Sequence, residues 1–209
     1  MSQIKLKHSG GNSSIIAAPS SNPASDVTFR LPNADGTAGQ VLKTDGSGNL
    51  SFGADTGGLF ASYAIIVDQK SSGTDGGSSS GGNWNTRDLN TELSDPDGIV
   101  SISSNQFTLQ AGSYFLEASA PAYQPSRHKL KLYQTSGTAA DIAFGTVTFT
   151  NYNIAVQSTA FLSCRFTIST ATTYEIRHYI QNSKSGNGLG VAVSQGVEFY
   201  CIVKIFKEA

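Results

Sequence analysis

The stretch Gln106–Ala120, QFTLQAGSYFLEASA, decides the fold class of this chain. On both sides of a central Gly112, every second residue is apolar, namely Phe107, Leu109, Tyr114, Leu116 and Ala118. A period of two places alternate side chains on one face of a β-strand. The stretch therefore predicts two strands joined by a tight turn, each with one buried face.

The same period of two recurs through residues 59–209, and no helical period competes with it. The predicted strands are Tyr63–Asp68, Trp84–Thr91, Ile99–Ile102, Gln106–Leu109, Ser113–Ala120, Lys129–Gln134, Ile142–Thr150, Ser158–Ile168, Tyr174–Ile180 and Val197–Phe206. Short strands at this spacing are typical of two-sheet sandwiches. The sequence predicts an all-β protein, a ten-strand antiparallel jelly-roll sandwich.

Residues 1–57 have a different pattern and predict a separate segment, which leaves 58–209 as the main domain. The segment has brief strand-like stretches between Gly, Ser, Asn, Asp and Pro residues, at Ile4 and Leu6, Ile15–Ala18, Val27–Leu31, Val41–Leu42 and Leu50–Phe52. Such short strands cannot bury a core within one chain. We expect an extended N-terminal β segment that is ordered by intertwining with copies or by docking on a partner. The alternative is a disordered leader.

Composition and charge exclude several function classes. The formal net charge is −1 and only 14% of residues are charged, which leaves no basic surface for nucleic acid. No apolar run reaches the length that spans a bilayer, so we expect no membrane insertion. The N-terminal MSQIKLKHSGG has no signal-peptide core. We expect a protein made in the cytoplasm that leaves the cell only by lysis or assembly.

No catalytic, cofactor or metal motif is evident. His8, His128 and His178 are far apart in sequence without metal-ligand spacing, and His178 is interpreted as a core or interface histidine. Asp95-Pro96-Asp97-Gly98 predicts a turn rather than a calcium loop. We expect no enzyme, no cofactor and no metal, although a carboxylate pair formed between different chains stays open.

The two cysteines predict buried free thiols. Cys164 alternates with Leu162 and Phe166, and Cys201 alternates with Phe199 and Val203. Both therefore fall on apolar strand faces, where a free thiol behaves as a small hydrophobe. A disulfide stays possible if the two strands prove to be neighbours.

Two stretches resemble known families. Residues 29–52, FRLPNADGTAGQVLKTDGSGNLSF, resemble a recurrent module of virion-fibre proteins of tailed phages, notably marine ones, in which it looks like a small intertwined trimer element. Residues 59–209 resemble the complement-type and tumour-necrosis-factor-type trimeric jelly roll. Phe107–Phe115 looks like its B–C hairpin, Lys129–Tyr133 its D strand and Phe199–Phe206 its final strand, while Trp84-Asn-Thr-Arg87 is similar to phage-fibre jelly rolls.

These resemblances imply a virion structural protein, a homotrimeric tail fibre or spike that adsorbs to the host. Its partners would be other virion proteins, through the N-terminal segment, and a host surface glycan or protein. One alternative is a head fibre or capsid decoration protein, and a second is a fibre-borne glycan depolymerase. A secreted signalling ligand is opposed by the missing signal peptide.

The jelly-roll resemblance also implies where the sites lie. Connections 69–98, 121–127, 150–157 and 181–196 would meet at the apex, opposite the termini. The candidate receptor-binding residues there are Tyr123, Gln124, Arg127, Asn151, Tyr152, Asn153, Gln181 and Asn182. Such side chains suit a rigid hydrogen-bonding surface. The aromatic candidates for the three-fold interface are Tyr114, Tyr133, Tyr179 and Tyr200.

Overall fold

The structure is a computed structural model that describes residues 3–17, 19–21, 23–55 and 57–209. It divides into two compact units, Met1–Thr56 and Gly57–Ala209, one residue before the boundary expected from the sequence. All the regular elements in the described ranges are β-strands. Within those same ranges there is no long apolar helix of the kind that crosses a bilayer.

The first unit contains two small antiparallel hairpins. Strand β1 (Gln3–Lys7) pairs with β2 (Ser13–Ala17), and β3 (Gln40–Thr44) pairs with β4 (Leu50–Ala54). The predicted strand Ile15–Ala18 therefore agrees with β2 as far as Ala17, and Ala18 lies outside the described residues. The predicted strand Val27–Leu31 is wrong, because only an isolated bridge from Arg30 to Asn49 forms there.

The turn between β3 and β4 follows from its own side chains. The Asp45 carboxylate accepts backbone hydrogen bonds from Ser47 at 2.8 Å and Asn49 at 3.1 Å. Gly46 and Gly48 adopt positive φ angles of 78° and 87°, which glycine reaches without strain. The predicted hairpin over residues 45–49 is confirmed.

The second unit has twelve strands. In chain order they are β5 (Phe60–Lys70), β6 (Asn83–Thr86), β7 (Thr91–Ser94), β8 (Val100–Ser103), β9 (Gln106–Leu109), β10 (Gly112–Tyr123), β11 (Arg127–Gln134), β12 (Ala140–Phe144), β13 (Thr148–Phe149), β14 (Gln157–Ile168), β15 (Thr172–Ile180) and β16 (Glu198–Glu208).

These strands form two antiparallel sheets that pack face to face. The five-stranded sheet has the order β14-β10-β16-β5-β7. The seven-stranded sheet has the order β12-β11-β15-β9-β8, with β13 also paired to β11 and β6 also paired to β15. Sequence neighbours repeatedly lie in opposite sheets, which is the connectivity of a jelly roll. The predicted all-β jelly-roll sandwich is confirmed.

Two of the ten predicted strands are each split in two. The predicted strand Trp84–Thr91 is β6 in one sheet and β7 in the other, because the chain crosses the sandwich at Arg87–Asn90. The predicted strand Ile142–Thr150 is β12 and β13, which both pair with β11. Gly145 interrupts it, donating its backbone N–H to the Leu130 carbonyl at 2.9 Å.

The stretch Gln106–Ala120 forms two strands but not the predicted hairpin. β9 and β10 are present as predicted, but they are not a hairpin, since β9 pairs with β8 and β15 whereas β10 pairs with β14 and β16. The short connection crosses from one sheet to the other. Phe107 and Leu109 therefore face Tyr114 and Leu116 across one core, and all four side chains are fully buried.

The core lies between the sheets and uses the inward positions of the long strands. Within the seven-stranded sheet the ring centroids of Phe107 and Tyr174 lie 5.8 Å apart, and across the core those of Phe166 and Tyr174 lie 5.3 Å apart. Each large apolar side chain buried there stabilises the fold by about 1.5–3 kcal/mol. This burial holds the connections at the two ends of the sandwich in fixed positions.

We predict that Gly145→Ala destabilises the second unit by about 1–3 kcal/mol, the usual cost of overpacking. An added Cβ would lie 2.0 Å from the Phe161 carbonyl oxygen, so β14 or the β12–β13 connection must shift. The measurement is chemical denaturation. Gly53→Ala is the control, because its Cβ would meet only the flexible Lys43 side chain at 3.3 Å. Equal unfolding free energies for both variants would contradict the packing described here.

Candidate functional site

Four connections meet at one end of the sandwich, which we call the apex. Residues 71–82 approach 181–190 through backbone hydrogen bonds between Ser79 and Lys184, at 2.9 and 3.1 Å. The Gln124 N–H donates to the Val156 carbonyl at 2.9 Å, and the Tyr123 N–H donates to the Gly188 carbonyl at 3.0 Å. The convergence expected from the sequence is therefore present in the protomer.

Tyr123 and Gln124 are half-buried beneath one lysine. The Lys184 ammonium donates to Gln124 Oε1 at 2.6 Å and lies 5.3 Å from the centre of the Tyr123 ring. Gln124 itself adopts a positive φ of 49°, which turns the chain sharply after β10. These two predicted recognition side chains lie together, and Lys184, which sequence reasoning missed, is part of the same cluster.

Arg127, Gln181 and Asn182 form a second cluster. Arg127 is exposed, donates from Nη1 to Gln181 Oε1 at 3.3 Å, and lies 5.9 Å from the Phe149 ring centre. The Asn182 N–H donates to the Pro125 carbonyl at 3.2 Å. The β10–β11 and β15–β16 connections are thus joined beside Arg127.

The connection before β14 presents the most accessible of the predicted side chains. Asn151, Tyr152 and Asn153 are all exposed, and 44% of the Tyr152 surface is accessible. Asn151 Oδ1 accepts the Asn153 N–H at 2.9 Å, which fixes the turn. Tyr152 therefore offers an aromatic ring on an ordered loop.

One part of the predicted apex lies elsewhere. The turn Asp95–Gly98 follows β7, and Asp97 accepts a 2.5 Å hydrogen bond from Ser62, near the start of β5. Because β7 runs antiparallel to β5, this turn lies at the opposite end of the sandwich. The Asp95 carboxylate accepts the N–H groups of Ile99 and Val100 at 2.9 Å each, so the predicted turn itself is confirmed.

The prediction that Tyr114 and Tyr200 lie at the three-fold interface is wrong. Tyr114 is fully buried and donates its hydroxyl to the Gln110 carbonyl at 2.9 Å, and Tyr200 is 2% exposed and donates to the Thr74 carbonyl at 2.8 Å. Neither side chain can contact another copy. Tyr133 and Tyr179 are half-buried on the outward face of the seven-stranded sheet, against Arg177 and Trp84 respectively.

The outward face of the five-stranded sheet carries an aromatic cluster that sequence reasoning missed. The Phe60 ring centre lies 6.3 Å from that of Phe115 and 5.0 Å from that of Phe206. Tyr63, on the same face, is 44% exposed. Beside the cluster is a groove of about 360 Å³ that includes Ile202 and Phe161. We call this the apolar face.

A second apolar patch follows the edge where the two sheets meet. Val147, Phe149 and Phe161 are 66%, 65% and 59% exposed. The Thr146 N–H donates to the Phe161 carbonyl at 3.2 Å, which holds the β12–β13 connection against β14. We call this the apolar edge.

A buried arginine lies beneath the apex. Arg87 is fully buried and donates from Nη2 to the carbonyls of Leu189 and Tyr200, at 3.0 Å each, and from Nη1 to the Pro121 carbonyl at 3.4 Å. Burial lowers the pKa of this guanidinium from its ordinary value. The cation therefore joins three segments that are distant in sequence.

Two histidines and a serine form a buried hydrogen-bonded chain nearby. His128 Nδ1 lies 2.9 Å from His178 Nε2, and His128 Nε2 lies 2.8 Å from Ser158 Oγ. The two histidines are 50 positions apart in sequence and come together because β11 and β15 are neighbours. The interpretation of His178 as a core histidine is confirmed, since it has no exposed surface.

The donor and acceptor roles in this chain of hydrogen bonds depend on which ring nitrogen of His178 carries the proton. β15 lies between β11, which carries His128, and the segment of Arg87, whose N–H donates to the Ile176 carbonyl. Arg87 Nε and His178 Nδ1 both lack a hydrogen-bond partner among the described residues. A proton on Nδ1 would leave a buried N–H without an acceptor, and the charge of Arg87 opposes a second proton on the ring, so we assign the single ring proton to His178 Nε2.

The assigned tautomer has a chemical consequence. His178 Nε2–H then donates to His128 Nδ1, and His128 Nε2–H donates to Ser158 Oγ. An imidazole that donates to a serine cannot accept its proton, so this arrangement does not activate Ser158 as a nucleophile. The trio is a structural hydrogen-bond chain in spite of its resemblance in composition to a catalytic one.

The cysteines and the metal-ligand types show no further site among the described residues. Cys164 and Cys201 are both free, with Cys201 buried and Cys164 half-buried, and burial raises their pKa values to about 11 and about 12. A disulfide was expected only if their strands were neighbours. Strands β14 and β16 lie on opposite sides of β10, so this condition is not met. No group of three or more His, Cys, Asp and Glu side chains there is placed to hold a metal ion.

Comparison with known proteins gives likeness to solved structures alone. No protein-family model matches the chain, and no curated protein matches it. Murine APRIL at pH 5.0 is 8% identical with a TM-score of 0.49, covering 70% of this chain and 98% of that one. The globular domain of the zebrafish complement 1qA protein is 15% identical with a TM-score of 0.47, covering 70% and 96%. Eiger TNF from S. frugiperda is 8% identical with a TM-score of 0.47, covering 70% and 92%.

We predict that the unfolding free energy falls as the pH drops from 6.5 towards 4. Burial lowers the pKa of His128 to about 4 and that of His178 well below its usual value, so the unfolded chain binds protons in this range and the folded chain does not. Each histidine contributes a slope of up to about 1.4 kcal/mol per pH unit. Denaturation between pH 7 and 5.5 measures the slope.

His128→Gln should reduce this slope, because glutamine can donate a hydrogen bond but does not titrate in the range. His8→Gln is the matched control, since His8 is exposed in the first unit. A slope that is the same in wild type and His128→Gln would contradict the assignment of the buried neutral pair.

Proposed function

We propose that this chain is a virion structural protein of a tailed phage, a homotrimeric fibre or spike that adsorbs to the host surface. The observation that carries the proposal is the N-terminal unit, which combines the phage-fibre-like stretch 29–52 with apolar side chains left in solvent. The jelly-roll unit adds surfaces suited to self-association and recognition. The N-terminal unit is the attachment and trimerisation segment, and its partners are other virion proteins.

The apolar side chains of the N-terminal unit support a role in assembly. Phe29 and Phe52 are 64% and 41% exposed, and other exposed apolar side chains of this unit are Ile4, Leu6, Ile16, Val27, Leu31, Val41 and Leu42. Two-stranded hairpins are marginally stable alone. Burial of these side chains against copies of the same unit would stabilise both hairpins, as expected for an intertwined element.

The apolar face and the apolar edge support a trimer of the jelly-roll unit. They adjoin at Phe161 and extend from it over different parts of one protomer, so contact between the face of one copy and the edge of the next is head-to-tail. Head-to-tail contacts close into a ring when the rotation permits, and the jelly-roll resemblance suggests three copies. We therefore place the interface on these two surfaces rather than at Tyr133 and Tyr179.

We predict that Phe161→Glu dissociates the trimer while the jelly roll stays folded, because the marginally stable hairpins of the N-terminal unit cannot hold three chains together without the jelly-roll interface. Phe161 belongs to the apolar edge and lines the groove of the apolar face, and it is already 59% exposed in the protomer. A carboxylate there would lose its hydration at the interface, which is costly. Sedimentation velocity should show a mass near 21.9 kDa for the variant and three times that mass for the wild type.

Leu93→Glu is the matched control for this experiment. Leu93 is 49% exposed on β7, at the edge of the five-stranded sheet away from β14. Its substitution should leave the mass unchanged. A wild type that sediments as a monomer, or a Phe161→Glu variant that remains a trimer, would exclude the proposed interface.

The apex supports the recognition role. It carries Tyr152, Arg127 and Asn153 in solvent, on connections held by backbone hydrogen bonds. Rigid aromatic and amide groups bind with little loss of conformational entropy. In a trimer three copies of the apex would act together, so that a weak contact gains avidity. The receptor class we propose is a host surface glycan or protein.

We predict that Tyr152→Ala slows adsorption of virions to host cells while the trimer and the particle remain intact. Loss of a hot-spot tyrosine costs about 2 kcal/mol per site, and avidity multiplies the effect. Arg127→Ala should act similarly if the receptor is acidic. The measurement is the adsorption rate constant of mutant particles, with Leu93→Ala as the control, because Leu93 is 49% exposed on β7 beside the turn at the end opposite the apex.

Unchanged adsorption for the Tyr152 and Arg127 variants, together with reduced particle stability, would favour the alternative of a head fibre or capsid decoration protein. The depolymerase alternative gains nothing from Ser158, because its hydrogen bond with His128 is assigned in the non-activating direction.

A further inference from the structure

The outward face of the seven-stranded sheet carries an arrangement of rings and ammonium groups around Lys129, of which only Phe144 also lines the groove of the apolar face. We call it the aromatic–lysine face and define it by Trp84, Lys129, Phe144 and Tyr179. The Trp84 ring centre lies 5.6 Å from that of Tyr179 and 6.0 Å from that of Phe144. Lys129 Nζ lies 4.6 Å from the Phe144 ring centre and 5.9 Å from that of Trp84.

Strand register explains why these side chains lie together. On β11 the inward positions His128, Leu130 and Leu132 are buried, which places Lys129 and Lys131 on the outward face. Lys129 pairs with Tyr179 on β15, and Tyr179 pairs with Trp84 on β6. Three neighbouring strands thus contribute one row across the sheet.

A second row holds the first in place. Lys131 is only 5% exposed, lies 4.3 Å from the Trp84 ring centre and forms a 2.5 Å ion pair with Asp141. Arg177 lies 3.5 Å from the Tyr133 ring centre and pairs with Glu175. These two cations are neutralised by neighbouring carboxylates, so they support the rings rather than attract a ligand.

Lys129 differs from them because its charge is not compensated. Among the described residues no carboxylate lies within ion-pair distance of its ammonium group, whereas Lys131 and Arg177 each have one. Arg127, two residues earlier on the same face of β11, contacts Gln181 and Phe149 and likewise forms no ion pair in the described chain. The face therefore combines the exposed Phe144 ring and the half-buried Trp84 and Tyr179 rings with the uncompensated charge of Lys129, and Arg127 of the apex lies two residues away on the same strand face.

From this geometry we propose that the aromatic–lysine face binds an acidic polysaccharide. The rings of Trp84, Phe144 and Tyr179 offer surfaces on which the apolar C–H face of a sugar ring stacks, and Lys129 pairs with its carboxylate. Pockets and platforms that combine apolar rings with few polar groups set orientation in this way.

Charge density argues against nucleic acid as the occupant. Double-stranded DNA carries one negative charge about every 1.7 Å along its axis, and binding it takes many cations. The face has only Lys129 and Arg127 to offer, and the chain has a net charge of −1. A polymer with one carboxylate per sugar matches this sparse charge better.

The test uses the full chain with polygalacturonate as the probe, and the same polymer with methyl-esterified carboxylates for comparison. Affinity electrophoresis should show binding of the acidic polymer that weakens with salt, and no binding of the esterified one. Lys129→Gln and Phe144→Ser should each weaken binding about fivefold to tenfold. Phe144 is 52% exposed, so its loss leaves Lys131 covered by Trp84 and the fold intact.

Lys207→Gln is the matched control, since it removes the same charge from β16 in the other sheet and should bind as the wild type does. The proposal is overturned if polygalacturonate does not bind, if the esterified polymer binds equally, or if Lys129→Gln and Phe144→Ser bind as the wild type does. Stronger binding of a single-stranded DNA oligonucleotide that Lys129→Gln abolishes would overturn it in favour of nucleic acid. Lys129 lies outside the groove of the apolar face, so the Lys129→Gln result does not depend on the trimer interface.

Discussion

The hydrogen bonds of one buried cation, the Arg87 guanidinium, connect three segments that lie at or beneath the apex. Arg87 lies where the chain crosses from the seven-stranded to the five-stranded sheet, and its guanidinium binds carbonyls at Pro121, Leu189 and Tyr200. Burying a charge is costly unless hydrogen bonds replace water. The three carbonyls reduce that cost only if the strand end before the apex, the long β15–β16 connection and β16 keep their positions. The geometry of the apex therefore depends on an interaction beneath it.

The same cation controls the polarity of the interior around it. It favours the bare Nδ1 of His178, which directs the hydrogen bonds of both histidines towards Ser158. It also opposes protonation of His178, whose pKa is lowered first by burial and then by the charge of Arg87. Burial keeps both histidines neutral, and the charge of Arg87 adds to this effect at His178.

Sequence periodicity predicted the strands and most of the core, because alternation on a strand depends only on local geometry. It did not predict which sheet a strand joins, so the β9–β10 connection was interpreted as a hairpin, although it crosses the sandwich. Alternation had already placed Tyr114 on the buried face of β10, and only the family resemblance made it a candidate for the interface. The pairing of His128 with His178 and the rows of the aromatic–lysine face arise from register between distant strands, which a single sequence does not contain.

The division of surfaces suggests how one small unit can serve several tasks. The inward faces form the core, the apolar face and edge are free for copies of the chain, and the apex remains available for recognition. Immunogold electron microscopy of intact virions, with antibody raised against residues 57–209, tests this account most directly. We expect label at the distal ends of fibres or spikes. Label on the capsid shell, or none on the particle, would contradict it.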